Sequence, residues 1–499
     1  MNSFDPSVFL DQGDEPPARG VSTRIWSPLQ SAIFEEISDA QKNILIQAVA
    51  GSGKTTTLIE ALRYAPGSAL FMAFNKSIAE DIRGKAPKGD VKTLNALGHA
   101  LWRENLPSAK IDFDKLKKIV SKVMPQGDYG EWGYQVQRMV GMAKNSAVDI
   151  DGSWDEMNVL EAMLEIADAN DNLPIGKEND AAIFATRAFF ESRMDTSTFD
   201  FDDQLYMPLF RKWEYPRYAN VFIDECQDLS PIQHLMLEEF RTNGSRIVAV
   251  GDRHQAIYGF RGADVRSMDN LKDRFGMLEL PLSISYRCSQ NVVKEAQQYC
   301  PTIEWRDNAP EGYVGFRSDI DRHEDPYLFT RELVLCRNNA PLFRAILRHV
   351  REKSPCRVLS NFLDSFQGFI RNFKCTDTAT LLKKLEKWEE RAIEKANGAR
   401  GKIAQIQDKI ETIRLLCSNS RNVSDVLLLV KRLGEGTSGP TFSTIHKAKG
   451  LEADSVYIIR PDLVPSPYAE RGDAKKQEEN LAYVGITRAR ETLIYGVML

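Results

Sequence analysis

The stretch from Asn43 to Leu58, with the sequence NILIQAVAGSGKTTTL, constrains the fold of this chain more than any other. Its first half is apolar and β-branched and predicts a short buried strand, and a helix pattern runs from Thr56 to Tyr64. The glycine-rich turn between them lets backbone N–H groups close around phosphate oxygens at the positive end of the helix dipole. Strand, glycine-rich turn and helix in this order are the context of a phosphate-binding loop, although position 48 holds alanine where the first glycine is usual.

The residues at the end of this turn add specific chemistry. Lys54 would bring a positive charge to the β- and γ-phosphates, and the hydroxyl of Thr55 is placed to ligate Mg²⁺. We therefore expect ATP and Mg²⁺ as cofactors, bound by the loop residues Ala50, Gly51, Ser52, Gly53, Lys54, Thr55 and Thr56. The alternative is a strand–helix turn that binds no ligand.

Length and composition limit the class of protein. A chain of 499 residues is expected to form two to four domains. The net charge of −5 excludes a generally basic surface, so any nucleic-acid site must be a local groove. The seven cysteines show no metal-binding spacing and indicate reduced thiols in the cytoplasm. No apolar run predicts a membrane span, and residues 1–22 read as a flexible arm.

The order of the other strand patterns predicts an α/β fold with parallel sheets. Strands at 69–74 and 91–94 flank helix patterns, which is the arrangement of βαβ units. A mainly helical pattern from 113 to 190 indicates an insertion. The remaining strand patterns lie further along the chain, at 221–223, 247–250, 333–336, 442–445, 455–459 and 492–495.

Two charged helix patterns, at 380–396 and 402–416, predict a helical hairpin with one apolar seam. The sequence leaves open whether this hairpin is a packed spacer or a surface that contacts DNA or a partner.

Acidic residues follow the strand at 221–223. Carboxylates at the carboxyl ends of parallel strands point into the crevice where ligands of α/β sheets bind. We expect Asp224 to hold Mg²⁺, and Glu225 to orient and deprotonate an attacking water.

The strand at 247–250 leads into a run with the sequence GDRHQAIYGFRGA. Gln255 is placed at the strand end, where its amide could sense a γ-phosphate. Tyr258, Phe260 and Arg261 are residue types on which single-stranded bases stack. For Tyr258, a place in the core is an equal alternative.

With these motifs in order, the chain resembles superfamily 1A DNA helicases of the UvrD/Rep type. It is most similar to the F-box DNA helicase branch and its phage and bacterial relatives, although no F-box segment is apparent. The resemblance spans residues 26 to 495. It rests on the segments already described together with AFNKSIA at 73–79, SYR at 285–287, TIHKAKGLE at 444–452 and YVGITRAR at 483–490.

The resemblance implies roles for individual residues. Gln30 would hydrogen-bond adenine, Tyr286 would stack on it, and Glu452 would accept from the ribose. Gln255 would couple the γ-phosphate to the DNA site. Arg287 and Arg488 would be two arginine fingers, since guanidinium groups fit phosphate oxygens in a fork. The implied DNA contacts are Phe74, Asn75, Thr93, Tyr258, Phe260, Arg261 and His446.

The resemblance also implies a domain plan and an activity. Residues 23–110 and 196–280 would form the first RecA-like domain, with 111–195 as its helical insertion. Residues 281–364 and 437–499 would form the second, with 365–436 as a reduced insertion. The chain would be an ATP-driven helicase on single-stranded DNA and at junctions with duplex, moving 3′ to 5′. A translocating ATPase that strips bound proteins and a nucleotide-timed DNA-binding module remain open, as does a monomeric state.

Overall fold

The computed structural model describes residues 25–39, 41–169, 177–257, 266–317, 332–351, 354–371, 373–396, 398, 400–418, 420–469 and 472–496. The arm predicted at 1–22 lies outside this part of the chain, as do Tyr258, Phe260 and Arg261.

The first part of the chain alternates helices with short strands, of which the first two are largely apolar and buried. In order, these elements are α1 (Pro28–Asp39), β1 (Ile44–Ala48), α2 (Lys54–Ala61), β2 (Ala69–Ala73), α3 (Lys76–Arg83), β3 (Asp90–Thr93), α4 (Leu94–Asn105) and β4 (Lys110–Ile111).

Four helices then form the predicted helical stretch, and alternation resumes after them. The elements are α5 (Lys115–Val123), α6 (Gln126–Asn145), α7 (Glu156–Ala169), α8 (Glu178–Met194), β5 (Thr198–Phe199), α9 (Phe201–Phe210), β6 (Asn220–Ile223), α10 (Pro231–Thr242), β7 (Arg246–Gly251), α11 (Ser267–Phe275) and β8 (Leu278–Leu282).

The first sheet has six parallel strands in the order β3-β2-β6-β7-β1-β8. The strand before the phosphate-binding loop, β1, lies inside the sheet, and its carboxyl end meets that of β7. The edge strand β8 was not predicted. It contains Pro281, which a strand tolerates at an edge because one side of its backbone needs no partner.

The second half of the chain repeats this plan. Its elements are β9 (Ile284–Ser285), α12 (Gln290–Ala296), β10 (Glu304–Trp305), β11 (Tyr313–Arg317), β12 (Leu333–Cys336), α13 (Asn339–Arg351), β13 (Arg357–Leu359), α14 (Asn361–Arg371), α15 (Thr378–Lys395), α16 (Arg400–Cys417), α17 (Val423–Gly434), β14 (Thr441–Thr444), β15 (Ala453–Ile459), α18 (Gly472–Ile486) and β16 (Ala489–Gly496).

The second sheet is also parallel, in the order β11-β16-β15-β12-β14-β13. Helices α14 to α17 lie in the connection between β13 and β14. Helices α5 to α8 lie in the same way in a connection of the first half, between β4 and β5. The fold class is therefore α/β with two parallel sheets and helical insertions, as predicted. Below, "first sheet domain" and "second sheet domain" mean each sheet with the helices packed on it.

The predicted hairpin is formed by α15 and α16. Leu381 and Leu385 of α15 share one apolar cluster with Ile410 and Ile413 of α16 and with the strands of the second sheet. The hairpin therefore packs on the second sheet domain through its seam.

The two sheet domains share an apolar contact at the phosphate-binding loop. Val49 and Ala50 belong to the same buried cluster as Ile445 and Tyr483 of the second sheet domain. Within the described ranges, no helix is long and apolar enough to cross a membrane.

Candidate nucleotide and DNA sites

The loop between β1 and α2 has the backbone shape that its glycines allow. Gly51 and Gly53 have φ angles of 73° and 79°, in the left-handed region that glycine enters without steric cost. Helix α2 begins directly at Lys54. Ala48 is still part of β1, with an ordinary strand backbone, so the position where glycine is usual needs no glycine here.

The predicted phosphate and magnesium residues lie together. The Lys54 Nζ is 3.3 Å from Glu225 Oε1, and the Thr55 hydroxyl donates to Asp224 Oδ2 at 2.5 Å. Both carboxylates follow β6, and both partners begin α2. The first turn of α2 and the residues that follow β6 therefore form one polar cluster.

Opposite effects act on the two neighbouring carboxyl groups. Burial and the charge of Glu225 raise the pKa of Asp224. Burial acts in the same direction on Glu225, but the positive charges of Lys54 and Lys449 outweigh it and lower the pKa of that carboxyl. Glu225 also has a φ of 55°, which is strained for a residue with a Cβ. The cluster therefore holds Glu225 ionised in an unusual conformation.

The segment at 285–287 reaches the loop from the second sheet domain. The backbone N–H of Tyr286 donates to the carbonyl of Gly51 at 2.9 Å. Tyr286 is 43% exposed. The contact brings Arg287 next to the phosphate-binding loop.

The Arg287 side chain pairs within its own domain. Its Nε lies 2.6 Å from Glu452 Oε2, and its Nη1 donates to the carbonyl of Thr487 at 3.2 Å. Glu452, expected to bind ribose, also pairs with Arg490 at 2.5 Å.

Arg488 is almost fully buried, and the hydrogen bonds of its guanidinium stay in the second sheet domain. Its Nε donates to Val484 O at 3.0 Å, its Nη1 to Leu451 O at 3.1 Å and its Nη2 to Thr487 Oγ1 at 3.2 Å. Burial and the neighbouring charge of Arg287 lower the pKa of Arg488 to about 10. In this conformation Arg488 therefore bonds to neutral oxygen atoms.

The two glutamines implicated in nucleotide contact are buried and already bonded. Gln30 donates to the Thr57 hydroxyl of α2 at 2.9 Å and accepts from Ser27 N at 3.1 Å. The side-chain Nε2 of Gln255 donates to Asp252 Oδ2 at 2.7 Å, and its backbone carbonyl accepts from Lys449 Nζ at 2.7 Å. Gln30 therefore ties α1 to the phosphate-binding helix.

Several predicted DNA residues lie at the carboxyl edges of the sheets. Phe74 follows β2 and is 52% exposed. Asn75 caps α3 by accepting from Ile78 N, and Thr93 caps α4 by accepting from Ala96 N. Because β2 and β3 are neighbours, these side chains share one edge. His446, half-buried, follows β14 of the second sheet.

An exposed aromatic pair that no local sequence signal indicates lies beside this edge. Phe113 and Phe201 stack with ring centroids 4.9 Å apart, and both rings are largely exposed. Asn95, at the start of α4, donates to the carbonyl of Phe201 at 2.9 Å. Such pairs arise from residues distant in sequence. His99 is half-buried with its ring against Phe199.

Comparison with protein families gives matches at both halves of the chain. The model of the UvrD/REP helicase N-terminal domain matches residues 141–276, and that of the UvrD-like helicase C-terminal domain matches residues 343–498. The chain belongs to the UvrD/Rep helicase family. The matched ranges include Asp224, Glu225 and Gln255 in the first half and Glu452 and Arg488 in the second.

Individual UvrD/Rep relatives are distant in sequence. F-box DNA helicase protein 1 of Schizosaccharomyces pombe is 23% identical over 98% of this chain and 58% of its own length. F-box DNA helicase 1 of Gallus gallus is 23% identical over 97% of this chain and 51% of its own. The helicase PcrA of Leuconostoc citreum is 24% identical over 58% of this chain and 42% of its own. The chain thus spans about half the length of these relatives.

Proposed function

We propose that this UvrD/Rep-family chain is an ATP-dependent DNA helicase that moves along single-stranded DNA and couples ATP hydrolysis to unwinding. The observation that carries the proposal is the contact between Tyr286 and Gly51. It sets the phosphate-binding loop of one sheet domain against the arginine-bearing segment of the other.

The cluster at the loop suits Mg²⁺ and a triphosphate. Mg²⁺ usually takes one or two protein oxygens and completes its shell with phosphates and water. Thr55 and Asp224 offer such oxygens, and Lys54 beside them would hold the β- and γ-phosphates. Among the described residues no group of three or more His, Cys, Asp or Glu side chains could hold a metal ion alone. When bound, Mg²⁺ would neutralise charge on the β- and γ-oxygens.

Glu225 suits the role of general base. Its lowered pKa leaves it ionised at neutral pH, and it lies next to Lys54, where the γ-phosphate would be held. A base must reach the water it deprotonates within hydrogen-bond distance. Gln255, on the neighbouring strand end, would register whether the γ-phosphate is present.

Arg287 and Arg488 would stabilise charge on the transferred phosphoryl group. To do so, they must exchange the partners described above for phosphate oxygens. Because the exchange moves residues of the second sheet domain toward the loop, it would couple nucleotide state to domain position. An arginine supplied in this way contributes about 10³ or more in rate in other nucleotide hydrolases.

The carboxyl edges of both sheets would form the DNA path. Phe74, Asn75 and Thr93 lie on the first edge and His446 on the second. Tyr258, Phe260 and Arg261, outside the described residues, are proposed as further DNA contacts from their residue types. Stacking contributes about 1–3 kcal/mol per base, enough to hold a strand and still release it during stepping. Single strands and their junctions with duplex are the proposed substrates, and the proposed polarity is 3′ to 5′.

Two measurements test this function. ATP turnover is measured with and without single-stranded DNA, and strand displacement is measured on duplexes with a 3′ or a 5′ tail. We expect stimulation by DNA and displacement on the 3′-tailed duplex. Displacement only on the 5′-tailed duplex would contradict the polarity, and turnover unaffected by DNA would favour a nucleotide-timed binding module.

A second candidate is a translocase that strips proteins from DNA with little unwinding. It is favoured by the small insertion of the second sheet domain, in which the four helices α14 to α17 span residues 361–434. DNA-stimulated turnover without strand displacement would support this candidate.

A further inference from the structure

A side chain of helix α18, in the second sheet domain, donates hydrogen bonds to the backbone of the turn that carries Gln255. The Asn480 Nδ2 lies 3.0 Å from the carbonyl oxygen of Arg253 and 3.0 Å from that of Ala256. Asn480 is almost fully buried, and Gln255 lies between the two carbonyls in sequence. One side chain of the second sheet domain thus brackets the turn of the first.

We propose that Asn480 is a positioning residue for ATP hydrolysis. Its two hydrogen bonds hold the 253–256 turn, and with it Gln255, in the position needed for hydrolysis only while the second sheet domain contacts the first. The inference rests on the proposed function, because it concerns the γ-phosphate side of that site. Asn480 acts through Gln255 and the turn and does not itself touch the nucleotide.

The chemistry of the turn fixes the orientation of the Asn480 amide. Both partners are carbonyl oxygens, which only accept hydrogen bonds, so the amide must present its nitrogen to them. The Oδ1 atom of Asn480 accepts no hydrogen bond. The side chain is therefore used only as a double donor, which aspartate, of the same shape, cannot be.

A second residue on the same face of α18 extends the contact to the phosphate-binding loop. Tyr483 lies three residues after Asn480, which places the two side chains on one side of the helix. Its buried hydroxyl accepts from the backbone N–H of Ala50 at 2.9 Å. Its ring centroid lies 5.6 Å from that of His254.

Lys449 adds a third link from the second sheet domain. Its Nζ lies 2.7 Å from the carbonyl of Gln255 and 2.5 Å from Asp228. Three backbone carbonyls of the turn, those of Arg253, Gln255 and Ala256, therefore accept hydrogen bonds from the second sheet domain. Because these hydrogen bonds tie the turn to the second sheet domain, a movement of α18 would shift the turn and displace Gln255.

The test compares Asn480→Ala with Asn480→Asp. Alanine removes both hydrogen bonds, and we expect the kcat of DNA-stimulated ATP turnover to fall about tenfold with little change in KM. Aspartate keeps the shape but sets a carboxylate against two carbonyl oxygens, so its kcat should fall further. Lowering the pH should narrow the gap between the aspartate variant and the wild type, since a protonated carboxyl can donate one of the lost hydrogen bonds.

Controls separate positioning from general damage. Lys475→Ala alters an exposed residue of α18, whose ion pair with Glu479 is 3.9 Å long, and should leave kcat unchanged. Tyr483→Phe keeps the ring but removes the hydroxyl that accepts from Ala50 N, and it should also lower kcat. An equilibrium titration with a nucleotide establishes that each variant folds. If the aspartate variant does not fold, the effect of alanine on kcat and KM decides.

The inference is overturned if the aspartate variant hydrolyses ATP as fast as the alanine variant, or if alanine changes KM alone. A wild-type protein without DNA-stimulated turnover would instead refute the proposed function. The two failures are therefore distinguishable.

Discussion

Gly51 of the phosphate-binding loop packs directly against Arg287 of the second sheet domain. A Cβ atom at position 51 would lie 2.5 Å from the Cβ of Arg287 and 2.9 Å from Ser285 Oγ. Contacts between carbon atoms are normally about 3.5–4.0 Å long. Because Gly51 has no side chain, the two sheet domains can contact each other at the phosphate-binding loop.

The substitution Gly51→Ala should separate the domains at this point. The φ of 73° adds strain of roughly 1–2 kcal/mol for any residue with a Cβ. We expect turnover to fall by more than about tenfold and small-angle scattering to show a wider molecule. Gly276→Ala is the matched control, because it has a φ of 57° with no atom within 4 Å. Equal effects of the two substitutions would show that strain alone is responsible.

Lys54→Ala should abolish ATP turnover. The change removes the charge expected at the β- and γ-phosphates and leaves Glu225 without its nearest cation. A nucleotide titration should show weaker binding, and phosphate release should fall to background. The control is Lys85→Ala, since Lys85 is exposed, lies just after α3 and forms an exposed ion pair with Asp81. Near-normal turnover in Lys54→Ala would contradict the assignment of the phosphate-binding loop.

Glu225→Gln should bind nucleotide and fail to hydrolyse it. Glutamine keeps the size of the side chain but has no carboxylate to accept a proton from water. We expect phosphate release to fall by about 10² or more, the range attributed to general bases. The same protein should give a nucleotide affinity within a few-fold of the wild type. Loss of affinity equal to the loss of rate would assign Glu225 to binding alone.

The elements predicted from the sequence are those with local signals. Buried strands such as β1, β6 and β12 are short apolar runs, and their parallel pairing follows from the helices between them. The edge strands β8 and β11 lack such runs, because an edge is partly exposed and tolerates proline and polar residues. Their existence depends on neighbours that come from elsewhere in the chain.

The same division applies to the candidate site. Lys54, Thr55 and Asp224 follow from spacing and residue type, and the structure brings them together. The acceptors of Arg488 and of Asn480 do not follow from spacing. Those of Arg488 depend on the packing of the second sheet domain. Those of Asn480 depend on how the two sheet domains meet, through contacts more than 200 residues apart in sequence. Local pattern predicts the chemistry of such a site and leaves its conformational state undetermined.

Phe74→Ala should weaken binding to single-stranded DNA by about tenfold, because stacking on an exposed ring contributes about 1–3 kcal/mol per base. Turnover without DNA should stay at the wild-type rate. The measurement is a fluorescence anisotropy titration with a labelled oligonucleotide. Tyr313→Ala is the control, since Tyr313 is similarly exposed but begins β11, at the opposite end of the strands. Equal losses in both variants would argue against a DNA path along the carboxyl edge.

Asp203→Asn should destabilise the junction between the helical stretch and the first sheet domain. The buried carboxylate lies 2.7 Å from Lys115 and 2.7 Å from Lys144, which are also buried. Removing one partner of a buried ion pair commonly costs about 3–5 kcal/mol, because a charge is left uncompensated. Urea unfolding should show a loss of this size near neutral pH. Asp81→Asn, in an exposed ion pair, should change stability little.

The pH dependence provides a second check on Asp203. Burial opposes its ionisation, but the charges of Lys144 and Lys115 lower the pKa of Asp203, while Asp203 in turn raises the pKa of Lys144 above its usual value. In the wild type this stabilisation is lost as the pH falls below the usual carboxyl range, or rises above the usual lysine range. In Asp203→Asn the buried Lys144 loses its main partner, so its pKa falls and stability should rise with pH. The difference between variant and wild type should therefore narrow from pH 7 to about pH 9–10. A difference that widens over this range would show that the lysines keep other compensating charges.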